Sequence, residues 1–159
     1  MEYSFERLTA EEYNALRRAV GWAEYPSSQV ESALRQSVTL CAVEKGRAVG
    51  MGRLTGDGIY YLLADVVVDP IYQGCSIGRN IVVRLLEHAQ RQAPAGSRVT
   101  VQLTAAPGKE GFCRSCGFQA LPDEGCGMRR VLGGTAEQQP SAKGKGSRDE
   151  KRLPGVQQK

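Results

Sequence analysis

Along residues 59–92 the spacing of apolar positions changes period once. The segment "IYYLLADVVV" (59–68) is a nearly continuous apolar run rich in β-branched and aromatic residues, which predicts a buried strand. Pro70 removes a backbone donor and ends it. Further on, Ile77, Ile81, Val82, Leu85, Leu86 and Ala89 recur on one helical face, predicting a helix over 78–92. Between the two lies a loop in which Gly74 and Gly78 bracket Cys75, Ser76 and Ile77. A helix that opens out of such a loop presents backbone N–H groups with no internal partner, which suits an anion.

The remaining chain divides in the same way. Tyr3 and Phe5 alternate with polar residues in "EYSFERL" (2–8), a first strand. Thr9 and Glu12 have capping-box spacing ahead of a face made by Tyr13, Leu16 and Val20. Ser28 and Glu31 repeat that spacing, with Val30 and Leu34 as the following apolar pair. "SVTLCAVE" (37–44), the turn Lys45-Gly46 and "RAVGMGRL" (47–54) read as a hairpin, and "TGDG" (55–58) as a second turn. "SRVTVQL" (97–103) is a strand, "KEGFCRSC" (109–116) a short helix stopped by Gly117, and "GFQAL" and "GMRRVL" (127–132) a closing pair of strands. The order β-αα-βββ-α-β-α-ββ defines a mixed α/β domain, with the link from 59–68 to 97–103 long enough for a right-handed parallel crossover. From Gly133 the chain is rich in Gly, Gln, Lys and Ser with isolated aliphatic residues, so residues 133–159 are expected to form a disordered basic tail behind a single domain of residues 1–132.

Composition narrows the class. With 41% hydrophobic and 24% charged residues in 159, the chain can bury a core, and no apolar run reaches the roughly 20 residues that span a bilayer. The N-terminus "MEYSFERLTAEEY" is acidic and interrupted, unlike a secretory signal, so a cytoplasmic protein without a membrane partner is expected. Residues 1–132 carry 15 Lys/Arg against 14 Asp/Glu, and the net charge of +4 is mostly a property of the tail. That argues against a nucleic-acid-binding face on the domain. Five cysteines, Cys41, Cys75, Cys113, Cys116 and Cys126, are read as reduced thiols. "CRSC" (113–116) lacks the second pair of a zinc ribbon, so no metal site is expected. The only histidine, His88, is flanked by Glu87 off the apolar face and is expected to face solvent, which leaves little material for a Ser–His or Cys–His mechanism.

The glycine loop has neither the spacing nor the lysine of a nucleotide P-loop, and it lacks the dinucleotide fingerprint. It fits a third pattern, [QR]-x-x-G-x-[GA], as Gln73-Gly74-Cys75-Ser76-Ile77-Gly78 behind Val68-Asp69-Pro70. Here the sequence resembles the GNAT superfamily of acyl-CoA-dependent N-acyltransferases. "QLTAAPGKEGFCRSCGF" extends the resemblance, and the element order agrees from about residue 2 to 132. The resemblance implies a central mixed, twisted sheet flanked by about four helices, with acetyl-CoA as co-substrate. It implies a cradle for the pyrophosphate formed by Gln73, Gly74, Cys75, Ser76, Ile77, Gly78 and Arg79. It also implies that Val66, Val67 and Val68 pair through their backbone with the pantetheine arm. Ser76 stands where glycine is usual: a positive φ there costs energy, whereas a negative φ would free its hydroxyl for phosphate. Cys113 stands where many members place the tyrosine that protonates the departing thiolate.

The reaction implied is direct attack of a small-molecule primary amine in a ternary complex. Asp65 is the expected proton acceptor, with orientation of the amine or a bond to loop backbone as its other reading; Glu44 and Tyr60 are weaker candidates, and Glu110, after the loop "APGK", is read as a cap of the short helix. Trp22 and Tyr25 could wall an amine pocket or cover the core. Acetylation of a protein lysine or N-terminus and a non-catalytic acyl-CoA-binding module stand as alternatives, and a homodimer is compatible with the domain.

Overall fold

A computed structural model of the chain describes residues 1–5, 7–121 and 127–133. The tail from residue 134 and Cys126 lie outside the described residues. Seven strands form one sheet in the order β1-β2-β3-β4-β5-β7-β6. They are β1 (Glu2–Phe5), β2 (Val38–Glu44), β3 (Arg47–Gly56), β4 (Tyr60–Val68), β5 (Arg98–Thr104), β6 (Gln119–Ala120) and β7 (Gly127–Gly133). All neighbouring pairs are antiparallel except β4 and β5, which run parallel. The helices are α1 (Ala10–Ala19), α2 (Ser27–Arg35), α3 (Ile77–Gln92) and α4 (Glu110–Ser115). The expected element order and the parallel crossover through α3 are both present.

Strand burial follows from a sheet covered on both faces. Leu40 and Ala42 of β2 join a core with Leu54, Leu63, Val99 and Val101 under the apolar face of α3. Their neighbours Cys41 and Val43 face the other way, packing with Met51 and Val67 against Tyr13 and Leu16 of α1 and Val30 of α2. Helix α3 lies almost on the backbone of β3. A Cβ on Gly52 would stand 2.7 Å from Ile81 Cγ2 and 3.0 Å from Leu85 Cδ1, so only glycine admits this approach.

Two local expectations change. The capping box at Thr9 and Glu12 forms as read, with reciprocal bonds between side chain and backbone. The box at Ser28 and Glu31 does not form: α2 starts two residues earlier than a Ser28 cap implies, at Ser27, with Pro26 at the cap and no side-chain cap bond. Pro26, at φ −52° and ψ 138°, stands just outside the helix, and its carbonyl accepts the first bonds, from Gln29 N–H at 2.9 Å and Val30 N–H at 3.1 Å. His88 is half-buried rather than solvent-facing, because β1 brings Phe5 to within 5.2 Å of its ring.

Candidate functional site

The site begins with an extra residue in β4. Met51 pairs with Val67 and Arg53 with Ala64, so Gly52 alone faces both Asp65 and Val66. This is a β-bulge, and Asp65 adopts a left-handed φ of +51° within it. Beside the bulge the sheet opens. β4 and β5 pair only from Tyr60↔Thr100 to Leu62↔Gln102, although β4 runs on to Val68 and β5 to Thr104. From Leu63 to Val68, β4 has no strand partner on its β5 side among the described residues. Backbone groups on that free edge need an external partner such as an added strand.

The free edge leads into the loop. Asp69, buried, donates its N–H to the Val49 carbonyl at 2.9 Å and accepts from Ile71 N–H at 3.1 Å. It also pairs with Arg47 at 3.3 Å. A 3-10 turn over Pro70–Tyr72 follows, and Gln73 Nε2 donates back to the Val68 carbonyl at 3.0 Å. Gly74 takes φ +81°. Ser76 takes φ +60° at the cap of α3, and its hydroxyl makes no cap bond. That settles the alternative at Ser76 on the strained side. Residues Gly74 to Ser76 are exposed, and Ile77 turns inward. No protein acceptor is found among the described residues for the N–H groups of Gly74 through Arg79, and Asn80 N–H is the first to bond backward, to the Ser76 carbonyl at 3.0 Å. The first turn of α3 contains no acidic residue. Six N–H groups without a protein acceptor at the positive end of a helix suit an anion.

Across the opening stands α4. A Cβ on Gly78 would lie 3.5 Å from both Phe112 Cζ and Val68 Cγ2, so the Phe112 ring and the end of β4 both close on the first turn of α3. Nothing in the sequence singles out Phe112. Its neighbour Cys113 is buried in the core under α3, and burial pushes its thiol up, with Cys116 and Glu110 adding to the effect. That shift favours the protonated thiol. Glu110 accepts the Gly108 N–H at 3.3 Å, Glu44 pairs with the N-terminal ammonium at 3.3 Å, and Tyr60 is exposed.

Asp65 is the best-connected side chain of the site. Its Oδ2 accepts from Tyr13 Oη at 2.7 Å and from Arg53 Nε at 2.7 Å, and its Oδ1 from Arg17 Nη1 at 3.1 Å. The Arg17, Arg53 and Asp65 side chains are 10%, 17% and 13% exposed, so water screens these pairs weakly. Burial, then the Asp65 carboxylate, pushes the Tyr13 phenol up and keeps it a donor. The Arg17 guanidinium lies 4.6 Å from the Tyr25 ring centroid, 5.2 Å from that of Trp22 and 5.8 Å from that of Tyr13. Trp22 and Tyr25 remain exposed on their outer sides. In the sequence Asp65, Trp22 and Tyr25 stand as separate candidates, and nothing there gives Arg17 or Arg53 a part in the site.

Comparison with known proteins agrees with this geometry. The family model described as "Acetyltransferase (GNAT) domain" matches residues 35–120. The chain belongs to the GNAT acetyltransferase family. It is 34% identical over 127 residues to GCN5-related N-acetyltransferase 1, chloroplastic, of Arabidopsis thaliana, covering 77% of this chain and 62% of that one. Histone acetyltransferase TAP1 of Glycine max is 31% identical over 72% of this chain and 53% of its own length. Serotonin N-acetyltransferase 2, chloroplastic, of Oryza sativa subsp. japonica is 30% identical over 72% of this chain and 58% of its own. The chain thus spans somewhat over half the length of these three relatives. Among solved structures, a probable acetyltransferase from meticillin-resistant Staphylococcus aureus superposes with a TM-score of 0.70 at 28% identity, over 78% of this chain and 94% of that one.

Proposed function

We propose that this chain is an acetyl-CoA-dependent N-acetyltransferase that acetylates the primary amine of a small molecule with a flat, apolar body. The observation that carries the reading is the continuity of two features, an unpartnered β4 edge running into a loop of six free N–H groups. The edge suits the amide-bearing pantetheine arm, and the loop suits a pyrophosphate. The donor supplies a thioester carbon for the amine to attack. This chain's part is to hold that carbon against β4 and to offer a backbone N–H of Val66–Val68 to the carbonyl oxygen as negative charge develops. The departing thiolate has an ordinary thiol acidity near pH 8.5 and leaves without a strong acid, so a buried Cys113 is no obstacle.

Acceptor class follows from what surrounds Asp65. Two guanidiniums against one carboxylate leave this region locally positive, which disfavours polyamines and lysine-rich peptides. The outer faces of Trp22 and Tyr25 offer stacking surface for an aromatic amine. The name of the rice relative points the same way, whereas that of the soybean relative favours a protein substrate. An assay of CoA release over a panel of arylalkylamines, aliphatic amines, polyamines and histone-tail peptides separates the two. The expected result is highest kcat/KM for the arylalkylamines. Turnover confined to peptides would refute the small-molecule acceptor.

A further inference from the structure

Asp65 is the one residue of β4 driven into left-handed backbone, and the same residue carries the most heavily bonded carboxylate of the site. Left-handed φ is disfavoured for L-residues and persists where the surroundings over-determine it. Here they do so from two elements, with Tyr13 and Arg17 reaching from α1 and Arg53 from β3. Arg17 does not stop at Asp65. Its Nε donates to the Ala23 carbonyl at 2.7 Å, and three aromatic rings surround its guanidinium. One turn earlier on α1, Asn14 grips the backbone of Tyr25 in both directions, at 2.8 and 3.1 Å. The loop bearing Trp22 and Tyr25 is therefore fastened to α1 by Asn14 and Arg17, and through Arg17 to the bulge.

We propose that Tyr13, Arg17, Arg53 and Asp65 form a strut that fixes the aromatic acceptor-side loop relative to the β4 bulge, making Asp65 a positioning residue rather than the acceptor of the amine proton. The catalytic half of this inference rests on the N-acetyltransferase reading; the mechanical half does not. Three donors already occupy the carboxylate, which has about four lone-pair directions. A proton delivered there would break charge-assisted bonds to two mostly buried guanidiniums and leave their charges uncompensated. The amine then loses its proton to water, and the pH dependence of turnover is that of the amine. Through the strut, placement of the acceptor and geometry of the backbone that holds the acetyl group become one structural variable. A misplacement of about 1 Å between reacting groups costs on the order of 100-fold in rate.

The test uses the full chain with three variants: Asp65→Asn, Arg17→Lys and Tyr13→Phe. Trp22 is the chain's one tryptophan, so acrylamide quenching of its fluorescence reports the loop with no ligand present. Arg17→Lys keeps the positive charge but gives up the planar stack and the Nε bond to Ala23. Its Trp22 should become more quenchable, moving toward an exposed indole, and its acceptor KM should rise more than its kcat falls. Asp65→Asn should lose roughly 100-fold in kcat while its pH profile keeps the wild-type shape. Unchanged Trp22 quenching in Arg17→Lys would overturn the strut. Loss of a pH limb in Asp65→Asn would overturn the positioning role and restore the carboxylate as a base. Should Asp65→Asn fail to fold, Tyr13→Phe, which removes only a hydroxyl, must show the same direction of change in kcat with an unaltered pH shape. A wild type inactive toward every amine would sink the N-acetyltransferase reading, and the quenching result would still decide the strut.

Discussion

Ser76→Gly offers a magnitude that can be worked out before the measurement. Ser76 holds φ +60°, and its hydroxyl makes no bond at the helix cap, so replacement forfeits no hydrogen bond within the protein. Left-handed backbone costs an L-residue about 1–2 kcal/mol, which glycine escapes. Against this, glycine's extra freedom in the unfolded chain costs about 0.5–1 kcal/mol. The net is a stabilisation of about 0.5–1 kcal/mol, or about 2–4 °C in Tm for a domain of this size. Ser76→Ala keeps the strain while losing the hydroxyl, and should stay within about 0.5 kcal/mol of wild type. Because the cradle is made of backbone N–H groups, both variants should keep the acetyl-CoA Kd within about threefold, a difference of under about 1 kcal/mol. Urea unfolding and isothermal titration read the two quantities separately. A less stable Ser76→Gly would refute the strain argument, and a tenfold loss of affinity in both variants would show that the hydroxyl is a phosphate donor.

Other expectations follow from the same packing and charge arguments. Gly52→Ala pushes a methyl to within 3.0 Å of Ile81 and Leu85 and should cost about 1–3 kcal/mol in urea unfolding; a cost below about 0.5 kcal/mol would mean that α3 shifts freely. Burial pushes the thiols of Cys41, Cys113 and Cys116 up, so the unfolded chain ionises first. Their contribution to stability is complete below the ordinary thiol range near pH 8.5 and should be lost as pH climbs through the higher folded values. His88 acts at the other end, since burial pushes it down: its contribution is complete above about pH 6.5 and lost as pH falls through the lower folded value. Stability that is flat from pH 5 to about 10 would contradict both. Deleting residues 134–159, which have little apolar content, should leave Tm and acetyl-CoA affinity unchanged, and a fall in either would show that the segment docks on the domain.

What the sequence made legible was whatever depends on neighbours within a turn or a strand. The Thr9–Glu12 box, the apolar face of α3 and the alternation of β2 are of that kind. The same motif at Ser28 and Glu31 misleads because a proline two residues ahead starts the helix early. Gly50 and Gly52 look like ordinary hairpin residues until α3, which starts 25 residues after Gly52, is laid across them. The connections of Asp65 were least accessible, since its partners lie 12, 48 and 52 residues away in the chain. A carboxylate before a strand end looks the same on paper whether it is free to take a proton or enclosed by arginines. Ser76 could be framed only as a choice of φ sign, because a serine tolerates either.

The bulge itself answers a problem of phase that the run "LLADVVV" contains. Leu63 faces the α3 core, and so do Val66 and Val68, whereas Val67 faces the α1 core. Strict alternation from Leu63 would send Val66 and Val68 to the α1 face and Val67 to the α3 face. One supernumerary residue between Ala64 and Val66 restores the phase, and Asp65 is that residue, with Gly52 opposite both it and Val66. Such an insertion increases local twist and bends the strand, which is consistent with β4 leaving β5 after Leu62. A free edge in mid-sheet is ordinarily a hazard, so a fold that keeps one gains by having a ligand complete it. Hydrophobic phase, the open edge and the carboxylate that ties in α1 thus share a single position. A chain lacking Asp65 could still send its three valines to their present faces, yet it would have neither the bulge beside the open edge nor the strut that aims the acceptor at it.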